Sequence, residues 1–277
     1  GMDLVQTVDT CLEGVHFPAG LDPADVAWRS LAVNLSDLAA MGAAPAWGLL
    51  SLALPRADED WLDGFARGLG ELAGSTGLDL VGGDMVRGPL AVTFALTGFV
   101  PPGAALRRAG ARPGDGIWVT GPLGGGAAGL AAWRRGEPGA AGAFLRPRPR
   151  LAEGQALRGL ASAAIDVSDG LLQDLGHLLA ASGVGAELEL ERVPLDPGAA
   201  ATENGLEMAL CGGDDYQLCF TLPPAQLAAL EAAAARWTER PVRIGVIRVA
   251  EGIELRRDGR RVAAPGGGWD HFAGNSP

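Results

Sequence analysis

Strand-like and helix-like segments alternate along the whole chain, and this order limits the possible fold more than any other feature. Apolar residues with a period of two predict strands, and those with a period of about 3.6 predict helices. The predicted strands are 4–9, a segment ending at Val81, 90–100, 117–120, 165–167, 186–190, 219–222 and 242–249, and the predicted helices are 23–41, 59–73, 170–182 and 224–237. This alternation predicts an α/β or α+β protein with two layers in each domain.

Turn residues mark the ends of several of these segments. Asp22 suits the N-cap of the first helix and Pro23 its first helical position, while Gly42 suits its end. Asp258-Gly259 predicts a two-residue hairpin turn. The strongest boundary signal is the stretch 108–115, which is rich in glycine, proline and arginine. The sequence therefore predicts an N-terminal domain of residues 1–109 and a C-terminal domain of residues 110–277.

The charge of the chain excludes several classes of function. All 22 basic residues are arginines, against 33 acidic residues, so the formal net charge is −11. The absence of lysine excludes a P-loop nucleotide site, a protein-kinase site and Schiff-base chemistry. The acidic balance argues against nucleic acid as a partner, because that binding needs a cationic surface.

Neither a membrane span nor a signal peptide is predicted, because no apolar stretch approaches the ~20 residues that a span requires. The three cysteines lack metal-ligand spacing and are typical of reduced thiols. We therefore expect a cytoplasmic protein that has no membrane partner.

Residues 124–129 match the glycine pattern G-x-G-x-x-G directly after a predicted strand. A dinucleotide site also needs a second strand with an acidic residue about 20 residues further on. Here the helix instead runs into the segment 146–150, which alternates arginine and proline and is predicted to be a solvated connector. A nicotinamide-dependent dehydrogenase is therefore a weak alternative, and a glycine-rich turn that contacts phosphate remains open.

Aspartates recur where predicted strands end or helices begin. They are Asp9, Asp37, Asp84, Asp166, Asp169, Asp214 and Asp215. The segment 165–170 places two carboxylates and a hydroxyl at a strand-to-helix junction, where a helix N-terminus attracts anions. Carboxylates without histidine or cysteine partners favour hard cations, so this pattern predicts Mg²⁺ or Mn²⁺ held against bound phosphate.

Five segments together resemble thiamine-monophosphate kinase. They are 33–42, 82–89, 165–171, 212–216 and 269–272, and they occur in the family's order between residues 3 and 272. The resemblance implies the fold shared with aminoimidazole-ribonucleotide synthetase and selenophosphate synthetase. In that two-domain fold, the N-terminal sheets of two subunits pair into a barrel, and a C-terminal α/β domain with a mixed sheet follows.

The resemblance also implies the reaction, in which ATP and thiamine monophosphate give ADP and thiamine diphosphate with several Mg²⁺ ions. We expect a homodimer and a direct in-line transfer that needs no catalytic general base. The nearest alternative is another ATP-dependent synthetase or kinase of the same superfamily.

Carried over position by position, the resemblance implies three sets of site residues. The metal ligands would be Thr7, Val8, Asp9, Asp37, Asp84, Asp166 and Asp169. The ATP contacts would be Gly83, Asp84, Arg108 and Ser168. The contacts to thiamine monophosphate would be His16, Asp214 and Trp269.

Three departures from the family pattern accompany these assignments. An upstream Gly-Asp-Asp motif of the family does not occur in this sequence, so we expect one metal ligand to be missing from it. Asp214 stands where the family usually has glutamate, and Val8 stands where it has threonine. The second change is harmless if that position coordinates through its backbone carbonyl.

Overall fold

The computed structural model describes residues 1–265. The predicted substrate contact Trp269 and the motif 269–272 lie outside the described residues. Among the helices of residues 1–265, none is long and apolar enough to cross a membrane.

The first 100 residues form a sheet with two helices. The elements are β1 (Asp3–Leu12), α1 (Pro23–Ala40), β2 (Ala44–Leu54), α2 (Glu59–Thr76), β3 (Asp79–Arg87) and β4 (Ala91–Val100). The strand order is β1-β4-β2-β3, with β4 antiparallel to both of its neighbours and β2 parallel to β3. Helix α1 packs on one face of this sheet, and α2 packs against α1.

Residues 116–262 form a mixed sheet with helices around it. The strands are β5 (Gly116–Val119), β6 (Ala163–Asp166), β7 (Gly185–Glu189), β8 (Leu218–Leu222), β9 (Val242–Arg248), β10 (Gly252–Arg257) and β11 (Arg260–Val262). The α-helices are α3 (Gly125–Arg134), α4 (Gly142–Leu145), α5 (Leu151–Leu157), α6 (Leu171–Ser182), α7 (Pro197–Ala200), α8 (Gly205–Cys211) and α9 (Leu227–Ala234). Short 3₁₀ turns occupy Pro138–Ala140, Leu190–Arg192 and Pro224–Gln226. The strand order is β11-β10-β7-β9-β5-β8-β6.

The predicted ends of α1 are confirmed. Asp22 Oδ1 accepts a hydrogen bond from the Ala24 backbone N–H at 2.8 Å, and Pro23 occupies the first turn. Gly42 follows the helix with a φ of +69°, a conformation that glycine adopts without strain. The hairpin at Asp258-Gly259 is also confirmed, since β10 and β11 pair around it.

Three sequence predictions for individual elements were wrong. Strand β2 was missed, because its apolar run lacks the strict alternation of a half-buried strand. Strand β3 does not end at Val81 but continues through Gly82-Gly83-Asp84 to Arg87. The predicted helix 224–237 is a 3₁₀ turn followed by the shorter α9.

The glycine pattern 124–129 does not belong to a dinucleotide-binding unit. Strand β5, which leads into it, pairs antiparallel with both β8 and β9. A nicotinamide site requires a parallel βαβ unit at this point. The dehydrogenase alternative therefore fails on topology.

The arginine-proline segment 146–150 is not a solvated connector, because it packs against the N-terminal helices. Arg146 bonds Asp25 at 2.6 Å and Glu71 at 2.8 Å, and its guanidinium lies 5.1 Å from the centre of the Trp28 ring. Trp28 Nε1 donates to the Pro147 carbonyl at 3.0 Å. These contacts tie the second half of the chain to α1 and α2, so the two halves share α1 between them.

Candidate functional site

Two aspartates meet where α1 lies against β1 and β6. Thr7 Oγ1 donates a hydrogen bond to Asp37 Oδ2. The neighbouring residue on the helix, Ser36, donates from Oγ to Asp166 Oδ2 at 2.7 Å. Residues from both halves of the chain are thereby held at one point, although 130 positions separate Ser36 from Asp166.

A cavity of about 380 Å³ opens beside these aspartates. Its lining includes four of the predicted site residues, which are Thr7, Asp37, Arg108 and Asp166. Arg108 supplies positive charge, which acts to lower the pKa of both carboxyls. A cavity with carboxylates and an arginine on its wall suits a phosphate compound accompanied by a metal ion.

The carboxylates of this first cavity are difficult to ionise together. Burial, followed by the charge of Asp37, raises the pKa of Asp166 to about 6. Burial also raises the pKa of Asp37, against the opposing hydrogen bond from Thr7. A cation between the two groups would favour the charged form of both, and donors that are all oxygen fit Mg²⁺. Within residues 1–265, however, no three His, Cys, Asp or Glu side chains are grouped so that they could hold one ion.

A second cavity, of about 490 Å³, adjoins the same elements. Its lining includes five further predicted residues, which are Asp9, His16, Ser168, Asp169 and Asp214. Along β1, Thr7 lines the first cavity and Asp9 the second. Asp166, the last residue of β6, lines the first cavity, and Ser168 and Asp169 in the loop after β6 line the second. The two cavities are therefore neighbours that share β1, and the chain passes from the first to the second as β6 runs into its following loop.

The segment Gly212–Tyr216 lines the second cavity and is hydrogen-bonded to the loop after β6. Asp214 has a φ of +61° and Tyr216 a φ of +50°, both in the left-handed region that residues other than glycine rarely adopt. The Asp214 N–H donates to the Ser168 carbonyl at 2.8 Å. Asp214 Oδ1 accepts from the Tyr216 hydroxyl at 2.9 Å and from Arg29 Nη2 at 2.5 Å. These bonds hold Asp214 at the cavity wall despite its unfavourable backbone.

The glycine-rich turn before α3 is satisfied by a carboxylate of its own chain. The backbone N–H groups of Gly124 and Gly126 donate to the two oxygens of Asp215 at 2.8 and 3.2 Å. Asp215 thus takes the position that an anion would occupy at this helix N-terminus. The turn therefore has a structural role, and the possibility that it contacts phosphate is not supported.

Comparison with known proteins identifies the family of this chain. The model for the N-terminal domain of AIR synthase related proteins matches residues 1–100, and the model for their C-terminal domain matches residues 112–258. Thiamine-monophosphate kinase of Salmonella typhimurium is 46% identical over 287 residues, which is 98% of this chain and 87% of that protein. The chain belongs to the thiamine-monophosphate kinase family.

Solved structures agree with this membership. The structure of thiamine-monophosphate kinase from Stenotrophomonas maltophilia superposes with a TM-score of 0.89 at 42% identity, covering 94% of this chain and 87% of that one. AaThiL complexed with AMPPCP and TMP superposes with a TM-score of 0.85 at 32% identity, covering 98% of this chain and 88% of that one. The family resemblance and the two-part α/β fold inferred from the sequence are thereby confirmed.

Some of the residues predicted from the thiamine-monophosphate kinase pattern are not brought to either cavity. Among the described residues, Gly83 and Asp84 line neither one. A Cβ at Gly83 would lie 1.9 Å from the Leu50 carbonyl oxygen, so the pairing of β3 with β2 already requires glycine there. The side chain of Val8 is 69% exposed, on the sheet face opposite to Thr7 and Asp9.

Asp174 and Arg29 are two residues near the site that the family pattern did not indicate. Asp174 Oδ2 accepts hydrogen bonds from the N–H groups of Ser168, Asp169 and Gly170 at 2.9, 3.0 and 3.1 Å. This one oxygen thus fixes the loop that carries Ser168, a predicted ATP contact, and Asp169, a predicted metal ligand. A carboxylate in the first turn of a helix is a known signal for bonds of this kind, so Asp174 could have been found from the sequence.

Asp215 makes the stability of this thiamine-monophosphate kinase homologue depend on pH. Burial raises its pKa to about 7, against the lowering by the amides of Gly124 and Gly126. A carboxyl with a raised pKa contributes fully below its unfolded pKa of about 4, and the contribution is lost as the pH rises through about 7. We expect Asp215→Asn, which cannot ionise, to gain stability relative to wild type between pH 5 and pH 8. Urea unfolding at both pH values measures this, and an equal difference at the two values would contradict it.

Proposed function

We propose that the protein transfers the terminal phosphoryl group of ATP directly to the phosphate of thiamine monophosphate, giving ADP and thiamine diphosphate. The observation that carries this proposal is the pair of adjoining cavities that share β1, with β6 on the wall of the first and the loop after β6 on the wall of the second. Two neighbouring sites suit one donor and one acceptor whose phosphates must meet. The homologue AaThiL, complexed with AMPPCP and TMP, binds an ATP analogue and the acceptor together.

This phosphoryl transfer needs no strong general base from the protein. The nucleophile is a phosphate oxygen, and because the second pKa of a phosphate monoester is about 6, it is mostly anionic at pH 7. The main obstacle is repulsion, which for two unit charges 4 Å apart is about 4 kcal/mol at an effective dielectric constant of 20. Mg²⁺, when bound, supplies positive charge that offsets this repulsion.

The chain's own residues would hold and align the reactants. Asp37 and Asp166 would bind metal at the first cavity, and Asp9 and Asp169 would do so at the second. Thr7 and Ser36 orient the first two carboxylates by the hydrogen bonds that they donate. We place ATP in the first cavity, with Arg108 toward its phosphates, and thiamine monophosphate in the second, beside His16 and Asp214. Ser168, expected from the family pattern to contact ATP, lines the second cavity, so in this placement it lies on the side of thiamine monophosphate.

We also propose that the active form is a homodimer. The face of the first sheet that points away from α1, here called the outer face, carries exposed apolar side chains. They are Leu4, Val8, Trp47, Leu49 and Val86, which are 38 to 69% exposed. Every residue of the edge strand β3 is exposed as well. An apolar sheet face of this extent with an open edge favours a two-fold contact with a second copy.

The position of Asp84 gives an independent reason for a second copy. The strand register aligns Asp84 with Ser51, Thr93 and Thr10 across the sheet. Three strand spacings, or about 14 Å, therefore separate Asp84 from β1 and from Asp9. We infer that the Asp84 of a second subunit completes the metal site, which is consistent with the lack of a three-ligand group within residues 1–265 of one chain.

One experiment tests the reaction. The full-length protein is incubated with ATP, Mg²⁺ and thiamine monophosphate, and the products are identified by mass spectrometry. We expect ADP and thiamine diphosphate in equal amounts, with neither formed when EDTA is present. Hydrolysis of ATP without thiamine diphosphate would favour another synthetase of the superfamily. ATP binding without ADP would indicate a non-catalytic nucleotide-binding protein.

Trp269 provides a test of acceptor binding. We propose that its indole stacks on thiamine, because a cation over an indole ring gains about 0.5–2 kcal/mol. Trp269→Ala should raise the KM for thiamine monophosphate by roughly several-fold to tens-fold and leave the KM for ATP unchanged. Trp269→Phe should recover most of the loss. A sharp fall in Tm with equal effects on both substrates would instead indicate a packing role.

We place the protein in the cytoplasm. Cys11 and Cys219 are free thiols, and both are buried. Free buried thiols are typical of a reducing compartment.

A further inference from the structure

Arg29 of α1 is the most deeply buried charged group near the second cavity. Its side chain is 2% exposed, and its guanidinium lies 4.1 Å from the centre of the Phe144 ring. All three nitrogen atoms of the guanidinium donate hydrogen bonds. Nη2 bonds Asp214 Oδ1 at 2.5 Å, Nη1 bonds the Phe144 carbonyl at 2.8 Å, and Nε bonds the His16 carbonyl at 3.3 Å.

Two of these partners, His16 and Asp214, are the residues that the family pattern predicts to contact thiamine monophosphate. They are far apart in the sequence. His16 lies in the loop after β1, and Asp214 follows α8. The guanidinium is a planar group with donors at fixed angles, so bonding both partners sets the distance between them. A flexible ammonium group at this position would fix only one direction at a time.

We infer that Arg29 is a positioning residue that sets the spacing of His16 and Asp214 in the acceptor cavity. This inference rests on the proposed function of that cavity as the site for thiamine monophosphate. Both bonds to the Asp214 side chain, from Arg29 and from Tyr216, fall on Oδ1. They fix the rotation of the carboxylate and leave its other oxygen to contact a ligand.

The positive charge of Arg29 also reduces repulsion between the carboxylates of the second cavity. Asp9, Asp169 and Asp214 line the same cavity, and repulsion between three negative charges disfavours their ionisation together. The ion pair offsets the charge of Asp214 before any ligand enters. The ion pair also stabilises the left-handed backbone conformation of Asp214, which a residue other than glycine keeps only when surrounding contacts hold it.

The aspartate at 214 and the arginine at 29 are matched in length. An aspartate is one methylene, or about 1.5 Å, shorter than a glutamate. The long arginine side chain spans the gap that the shorter acid leaves. Shortening the base should therefore break the pair, and lengthening the acid at the same time should restore it.

The test compares Arg29→Lys, Asp214→Glu and the double variant. For each protein, the Kd for thiamine monophosphate is measured by calorimetry, both KM values by initial rates, and Tm by circular dichroism. We expect each single variant to raise the Kd and KM for thiamine monophosphate about tenfold or more, with the KM for ATP within about twofold. The double variant should restore the ion pair but not the bond to the His16 carbonyl, so its Kd should stay raised. Arg135→Lys, on an exposed arginine paired with Glu137, is the matched control and should leave every value unchanged.

The possible outcomes separate this inference from the proposed reaction. If wild type binds thiamine monophosphate but makes no thiamine diphosphate, the reaction is wrong, and the Kd series still decides the role of Arg29. Unchanged Kd values in the single variants overturn the inference. Full recovery of the Kd in the double variant also overturns it, because the ion pair alone would then suffice. A lower Tm with equal loss for both substrates overturns it as well, as does a wild type that does not bind thiamine monophosphate.

Discussion

Replacing Asp37 with asparagine is expected to lower kcat by about a hundredfold or more while Tm stays within about 2 °C of wild type. Asp37 lines the first cavity and faces the charge of Asp166, whose pKa it raises. The change keeps the shape and the hydrogen bond from Thr7 but removes the charge that we propose binds metal. Because it also removes a repulsion between two carboxylates, it has no reason to weaken the fold.

Asp63→Asn is the matched control for this substitution. Asp63 lies on the exposed side of α2, so the same chemical change should affect neither kcat nor Tm. The Mg²⁺ concentration that gives half-maximal rate should rise in Asp37→Asn only. If that variant instead unfolds at lower temperature and keeps normal activity per folded molecule, Asp37 is structural and its assignment as a metal ligand is wrong.

A charge on the outer face should separate the subunits and abolish activity. Leu49 is 48% exposed on the central strand β2, where Leu49→Glu would place a carboxylate in the proposed contact. Light scattering of wild type at micromolar concentration should give twice the chain mass of 28.2 kDa, and the variant should give the chain mass. We expect kcat of the variant to fall about a hundredfold or more, since each site would lack the partner's Asp84.

Val249→Glu is the control for that variant, because Val249 is 80% exposed just after β9, in the other half of the chain. It should remain dimeric and active. A wild-type monomer, or a dimeric and active Leu49→Glu variant, would contradict the proposed interface.

Mixing two inactive variants tests whether the site is shared between subunits. If Asp37 of one chain works with Asp84 of its partner, a heterodimer of Asp37→Asn and Asp84→Asn chains contains one intact site. Random exchange of subunits should then restore about a quarter of wild-type activity. If both aspartates act within one chain, mixing restores nothing.

The parts of the fold that were predictable depend on local chemistry. The ends of α1 are determined by contacts between near neighbours in sequence, at Asp22, Pro23 and Gly42. The sequence predicted the role of each of these residues correctly. The apolar run of β2 has no comparable local signal, because its neighbours β3 and β4 follow it in the chain. Periodicity alone could not distinguish this strand from other buried apolar segments.

The residues of the candidate site also divide into those that a local sequence signal identifies and those that depend on contacts distant in sequence. The family motifs locate Asp37 and Asp166, but not the bond from Ser36 that brings them together across 130 positions. Arg29 has no local signal at all, because its partner Asp214 lies 185 positions away. Asp84 shows the opposite problem, since its motif was recognised while its distance from the other aspartates follows only from the strand register.

Strand β6 ends in the first cavity at Asp166, and the loop that follows it lines the second cavity with Ser168 and Asp169. Asp174 fixes the backbone of this loop through three hydrogen bonds to one oxygen. A ligand in either cavity therefore acts on the same short stretch of backbone. Thermodynamic linkage requires that any factor by which ATP changes the affinity for thiamine monophosphate is also the factor by which thiamine monophosphate changes the affinity for ATP. Asp174 is the residue through which this reciprocal effect can be weakened, because loosening the loop lets each ligand order only its own side.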